Sequence, residues 1–224
     1  MDCINSVITN KMDVNNIQHI KCDKYLLSST CDASNVQSLL KSELKNIKVC
    51  FEDRCNSLVV GEHSSFEDCG FYVSGRNNEV IIGSNCRIKG TYFILLGDNN
   101  KIIIGDNVTT NGLFWGYNYI HCAEGHTLKI GSDCMFSGDI VIRNSDGHSV
   151  ISDGKRINQS KDITIGNHVW IGMRATLLKG AYVGSNCIIG ANAVITKKFE
   201  NDLIIVGNPA MKKKLEGTWI RENI

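Results

Sequence analysis

Residues 163–197 read ITIGNHVWIGMRATLLKGAYVGSNCIIGANAVITK. Within them Ile165, Ile171, Leu177, Val183, Ile189 and Ile195 fall six apart without a break. Four positions after each of the first five stand Val169, Ala175, Ala181, Cys187 and Ala193, all small or apolar. Glycine follows the aliphatic at Gly166, Gly172, Gly184 and Gly190. A helix would repeat every 3.6 residues and a strand every 2, so neither produces this pattern. A hexapeptide period does. Three short strands of about six residues close one triangular coil of about 18, with the aliphatics pointing inward and the small residues sharing the narrow interior. Burying each aliphatic contributes about 1.5–3 kcal/mol, but a single coil cannot cover its own, so coils must stack. The expected fold class is therefore all-β, a parallel β-helix of hexapeptide repeats.

The pattern extends outward with interruptions. Residues 77–85 (NNEVIIGSN) and 99–107 (NNKIIIGDN) are one motif repeated 22 residues apart. This reads as an 18-residue coil plus a four-residue excursion, at Gly75–Asn78 and Gly97–Asn100. In the same phase, Val60, Phe66 and Tyr72 form one inward set, and Ile82, Ile88 and Ile94 a second. Ile104 with Val108 begins a third, and Ile130, Phe136 and Ile142 form a fourth. Cys86, Cys134 and Cys187 fall at small inward positions. With no CxxC and no Cys/His zinc spacing, the cysteines are expected to be mostly buried, reduced thiols. Gly-Ser-Asn and Gly-Asp-Asn sets suit corners that need positive φ.

Residues 1–57 lie outside the repeat and read as a capping region. Ser34 to Gln37 forms a capping box, and Val36, Leu39, Leu40, Leu44 and Ile47 share one helical face, which predicts a short helix over the solenoid's open end. The β-helix is expected over 58–208, with excursions at 110–128 and 143–162. A short C-terminal helix is expected in 209–224, entered through Pro209. The chain has 224 residues, with 42% hydrophobic and 21% charged, which excludes a disordered chain. A formal charge of +1 gives no support to nucleic-acid binding through a basic field. No apolar run approaches the ~20 residues of a membrane span. The start MDCINSVITNKMD lacks a basic segment followed by an apolar core, so no signal peptide and a cytoplasmic location are expected.

Residues 163–214, with ITIGNHVWIG, LLKGAYVGSNCIIGANAVITK and VGNPAMKKK, resemble the hexapeptide-repeat acetyltransferases that use acetyl-CoA. Just upstream, RNSDGHS at 143–149 resembles the Asp-x-His segment of sugar O-acetyltransferases. The combination, including Ile157-Asn158 and the KDITIG that follows, is similar to capsular-polysaccharide and sialic-acid O-acetyltransferases. The resemblance spans roughly residues 60–214. It implies a left-handed coil and a homotrimer with active sites between adjacent subunits. It also implies acetyl-CoA as cosubstrate, no metal, and a carbohydrate acceptor from a surface glycan. His148 then matches the general base. Trp170, with Gly172, matches the residues lining the acetyl-CoA channel, and Met173 stands where relatives often have a CoA-contacting Ser. Gly190 and Ala191 match the turn beside the pantetheine arm, Thr196 and Lys197 the pair near the CoA end, and Lys214 a basic residue near the nucleotide phosphates.

The chemistry asks for few groups. A sugar hydroxyl has a pKa far above 7, so a base must take its proton as it attacks, and a neutral imidazole suits that task. The cysteines offer no convincing Cys–His pair, so direct attack in a ternary complex is expected. Asp146 either orients the imidazole or caps its turn. His168 occupies a corner position usually filled by Asp or Asn and reads as structural. Excursion 110–128 is rich in aromatics: Phe114, Trp115, Tyr117 and Tyr119. Trp115 and Tyr117, with Arg143, are candidate acceptor contacts; packing against a neighbouring subunit is the alternative. An acidic acceptor would need local charge, from Arg143 or Arg156. Three other readings stay open. One is N-acetylation of an amino-sugar nucleotide and another a non-catalytic trimeric scaffold. The third is a zinc carbonic anhydrase on the same solenoid, suggested by His121 and His126 five residues apart, although Cys86 and Arg87 stand where its third histidine belongs.

Overall fold

The computed structural model describes residues 25–27, 42–53 and 55–223. Three parallel sheets form the faces of a left-handed β-helix, and from Ile47–Phe51 to Leu203–Val206 the chain visits them in strict rotation. The first face contains the strands Tyr25–Leu27, Ile47–Phe51, Gly70–Ser74, Thr91–Leu96, Asn118–Ala123, Val141–Arg143, Thr176–Leu178 and Val194–Ile195. The second runs from Ser57–Val60 to Lys198–Phe199, and the third from Glu43–Lys45 to Leu203–Val206.

Coil length is written on the corner between the second and third faces. There Ser84 N donates to Asp106 Oδ1 at 2.7 Å, 22 residues on. Asp106 N reaches Ser132 Oγ after 26, Ser132 N reaches Asn167 Oδ1 after 35, Asn167 N reaches Ser185 Oγ after 18, and Ser185 N reaches Asn201 Oδ1 after 16. Each side chain satisfies an amide of the coil before it, because corner amides have no partner within the sheet. The corner column Asn85, Asn107, Asp133, His168, Asn186 and Asp202 all have positive φ, between 52° and 59°. The 35-residue coil is the one that contains the His148 excursion.

The interior is filled by columns of apolar side chains. On the first face Val49, Phe71, Phe93, Ile120, Ile142, Leu177 and Ile195 stack in register and are buried. Phe71 and Phe93 lie face to face at 4.9 Å. Cys69, Cys86, Cys122, Cys134 and Cys187 are free and buried, as their inward positions require.

Several boundaries differ from the sequence reading. Tyr72 and Ile94 are not inward: Phe71, Val73, Phe93 and Leu95 are. The step from Phe66 to Phe71, like that from Ile88 to Phe93, is five residues rather than six, and a one-residue slip moves every side chain to the opposite face. The solenoid also begins earlier than residue 58. Leu44 and Ile47, expected on a helix, lie on strands Glu43–Lys45 and Ile47–Phe51, which pair in parallel with the next coil. Their apolar side chains fill the same columns, and burial there overrides helical spacing. The expected Ser34–Gln37 capping box lies outside the described residues. Excursion 110–128 is shorter than expected, since Asn118–Ala123 and Thr127–Ile130 are coil strands; the chain leaves the solenoid only around the short helix Gly112–Trp115. Finally, the C-terminal segment is not helical. Met211–Lys214 is a strand antiparallel to Leu203–Val206, and it pairs with the edge that the last coil would otherwise leave open.

Candidate active site

At the corner between the first and second faces, most coils turn in a few residues, as at Lys179-Gly180-Ala181 and Thr196-Lys197. After Val141–Arg143 the chain instead departs for residues 144–162 before rejoining at Ile163–Ile165. Asn144 roots this loop. It is fully buried, donates from Nδ2 to Ala123 O at 3.0 Å and accepts from Ala123 N at 2.8 Å. Ser145 follows, with Oγ donating to Glu124 Oε1 at 3.0 Å and accepting from Gly147 N at 3.1 Å. Further out, Ile151–Ser152 and Lys155–Arg156 form an antiparallel hairpin around Asp153 and Gly154. Arg156 then folds back onto Glu124 with two parallel bonds of 2.8 and 2.9 Å. That fork, helped by Ser145, holds the Glu124 carboxyl down at about 2.

His148 sits at the exposed crest of this loop, and its ring forms no hydrogen bond among the described residues. Of the two readings of Asp146, the contact with the imidazole is not made among the described residues. Asp146 Oδ2 instead accepts from Asn158 Nδ2 at 2.8 Å and pairs with Lys179. The Lys179 ammonium, then Asn158, keep this carboxyl below its ordinary range. Gly147 separates the two residues with φ +78°, and a Cβ there would come within 2.6 Å of Arg143 Nη2. Arg143 donates from Nε to Ser145 O at 2.6 Å and forms no ion pair among the described residues. Arg156, the other cation considered for an acidic acceptor, is committed to Glu124.

His121 stacks in register beneath Arg143. Its Nδ1 is buried without a hydrogen-bond partner among the described residues, and burial, then the Arg143 charge, lower its pKa. His126 is bonded elsewhere, through Nδ1 to Asp162 at 2.8 Å. Cys86 lies in the buried column with its thiol on Gly105 O at 3.3 Å. Among the described residues, no three His, Cys, Asp or Glu converge as metal ligands. Burial pushes the thiols of Cys69, Cys122 and Cys134 up to about 12, so none is a poised nucleophile.

Thr196 and Lys197 lie exposed on the same corner as the His148 loop, beyond Lys179. The remaining expected residues lie elsewhere. Trp170 projects from the third face, between Met135 and Ile188, and is 38% exposed. Gly172, Met173, Gly190 and Ala191 form the corner between the third and first faces. Coil stacking alone accounts for both glycines: a Cβ would meet Ala191 N from Gly172, and Val206 Cγ1 from Gly190, each at 2.7 Å. Tyr117 is near that corner too, packed on Tyr92 at 5.1 Å in a cluster with Tyr119 and Tyr72. The Trp115 side chain lies outside the described residues. Lys214 is exposed and paired with Glu216 at 3.1 Å.

One neighbour of Trp170 was not foreseen. The tail beyond residue 214 runs back along the third face. Trp219 stacks on His168 at 4.1 Å, donates to His168 O at 3.0 Å, and lies 6.4 Å from the Trp170 ring. His168 Nδ1 bonds Asp133 Oδ2 at 2.6 Å, and Arg221 reaches Asp133, Asn107 O and Thr109 Oγ1. Only the lone Trp in the polar GTWIRE segment hints at this in the sequence. No helix among the described residues is long and apolar enough to cross a membrane.

Residues 162–197 match the family model described as bacterial transferase hexapeptide (six repeats). A polysialic acid O-acetyltransferase of Escherichia coli O1:K1 / APEC is 35% identical over 96 residues, covering 42% of this chain and 31% of that protein. The polysialic acid O-acetyltransferase of Neisseria meningitidis is 48% identical over 67 residues, 29% of this chain and 31% of that protein. The chain thus spans about a third of the length of these curated relatives. The solved polysialic acid O-acetyltransferase OatWY superposes with a TM-score of 0.77 at 30% identity, covering 82% of this chain and 86% of the other. By its coil, its repeat and this likeness, the chain belongs to the hexapeptide-repeat acetyltransferases.

Proposed function

We propose that this chain is an acetyl-CoA-dependent O-acetyltransferase that modifies an acidic sugar unit of a surface glycan, acting in the cytoplasm as a homotrimer. One observation carries the reading: the imidazole of His148 is exposed and forms no hydrogen bond among the described residues, on a loop tied down by Asn158, Lys179 and the Arg156–Glu124 pair. When bound, acetyl-CoA supplies the thioester carbon. His148 takes the proton of the acceptor hydroxyl as the new carbon–oxygen bond forms. The carbon–sulfur bond breaks, and the protonated imidazole returns that proton to the leaving sulfur, so the ring ends neutral. Thr196 and Lys197, exposed on the same corner, suit an anionic donor lying along it.

Trp170 and the Met173 and Ala191 turns lie on another side of the prism, so one site would combine the His148 corner of one subunit with the Trp170 face of the next. Arg143, whose guanidinium lies against Gly147 and has no ion pair among the described residues, favours an acceptor carboxylate, in line with the polysialic acid named for the relatives. CoA thiol release tests this with sialic-acid oligomers, neutral sugars and amino-sugar nucleotides as acceptors. The expected result is release with the sialic-acid oligomers, falling about 10²–10⁴-fold in His148→Ala while CoA binding persists. Full turnover in that variant would remove His148 as the base. Release with amino-sugar nucleotides alone would move the chain to N-acetylation.

A further inference from the structure

We propose that Asn158 is the positioning residue of the catalytic loop: it fixes His148 through the backbone, in place of the carboxylate–imidazole contact that Asp146 does not make. This rests on the reading of His148 as the base.

The argument is one of hydrogen-bond accounting. A general base needs its ring held within a fraction of an ångström of its proton donor, and a misplacement of about 1 Å costs about 10²-fold. Among the described residues no hydrogen bond holds the ring itself. The Asn158 amide instead closes the loop on both sides of His148. Its Nδ2 donates to Asp146 Oδ2 at 2.8 Å, two residues before the histidine, and to His148 O at 2.7 Å. Its Oδ1 accepts from Val150 N at 2.7 Å, two residues after, and from Arg156 Nε at 3.3 Å. Both amide hydrogens and the carbonyl oxygen are thus used, and only a primary amide offers that combination of donors and acceptor. Asn158 is itself tied down, since its backbone O accepts from Lys179 Nζ at 3.2 Å and Arg156 is locked to Glu124. Lys179 belongs to the next coil, so the crest of the loop is referenced to the rigid solenoid. Asp146 acts in this arrangement as the partner of Asn158 and Lys179, holding the loop rather than the ring.

The test is a set of variants assayed for kcat and KM by thiol release with sialic-acid oligomers. Asn158→Ala should lower kcat about 10- to 100-fold with little change in KM for acetyl-CoA and a small change in melting temperature. In a His148→Ala background the same change should have no further effect, because it acts only through the ring it positions. The double variant Asp146→Asn/Asn158→Asp exchanges the two groups and should recover part of the activity lost in Asn158→Asp alone. Wild-type kcat in Asn158→Ala would overturn the proposal, as would losses that multiply with those of His148→Ala or no recovery in the exchange. If His148→Ala alone is fully active, it is the base assignment that fails, and the variants then report nothing but the loop's fold.

Discussion

Glu124 shows what a single side chain does for the loop. It belongs to the coil before the excursion, yet it bonds Ser145 near the loop's start and Arg156 near its end. Its carboxyl titrates at about 2 in the fold, against an ordinary value of 4.5. A depressed carboxyl contributes stability that is fully present above the ordinary value and is lost as pH falls towards the folded one. Glu124→Gln should therefore be less stable than wild type at pH 6–7, with the difference closing between about pH 4.5 and 2. Urea melts across that range check it; a gap that stays constant to pH 2 would show that the charge is not what Arg156 recognises. The effect is expected to be small, because both side chains remain in contact with solvent.

At the scale of elements, the tail after residue 214 acts as a strap. It runs antiparallel to the growth of the solenoid, and Trp219 and Arg221 together touch several coils. Stacked coils contact only their neighbours, so a strap that crosses them couples units that could otherwise fray separately. Trp219 is almost fully buried against His168. Trp219→Ala should cost on the order of 3 kcal/mol, near the low end for a buried aromatic. The Trp219 ring also lies 6.4 Å from Trp170, so if Trp170 lines the proposed acetyl-CoA site the variant should raise KM for acetyl-CoA more than it lowers kcat. Thermal melts and saturation kinetics separate the two effects. An unchanged KM in a destabilised protein would confine the strap to a structural role.

For the whole molecule, the prism sets what one chain can do. His148 stands on the corner between the first and second faces and Trp170 on the third face, and a packed β-helix has no hinge to bring them together. If the site forms between subunits, two individually impaired variants should complement each other. Mixing His148→Ala with Trp170→Ala chains, unfolding them together and refolding should restore activity to about a quarter of the wild-type sites, the share that pairs an intact His148 with an intact Trp170. No recovery in mixed oligomers would put both residues in one chain's site and require a different path for the donor.

The coil itself was legible from the residue list alone. A narrow interior accepts an inward aliphatic only at fixed intervals, so Ile165 to Ile195 report the solenoid directly, and inserted residues show as departures from that phase. His148, Thr196 and Lys197 were singled out by the resemblance of their segments to sugar O-acetyltransferases and not by the period; the fold brings all three, exposed, to one corner. Tertiary structure decided the rest. The slip at Phe71 and Phe93 turns on a corner shortened by one residue, which periodicity averages over. Met211–Lys214 became a strand because an open sheet edge lay within reach, a fact about the end of the stack and not about the segment. The partners of Asp146 come from Asn158, 12 residues away, and Lys179, 33 away. Hydrogen bonds across loops and coils leave no period in a sequence, because they depend on where the backbone has already been placed.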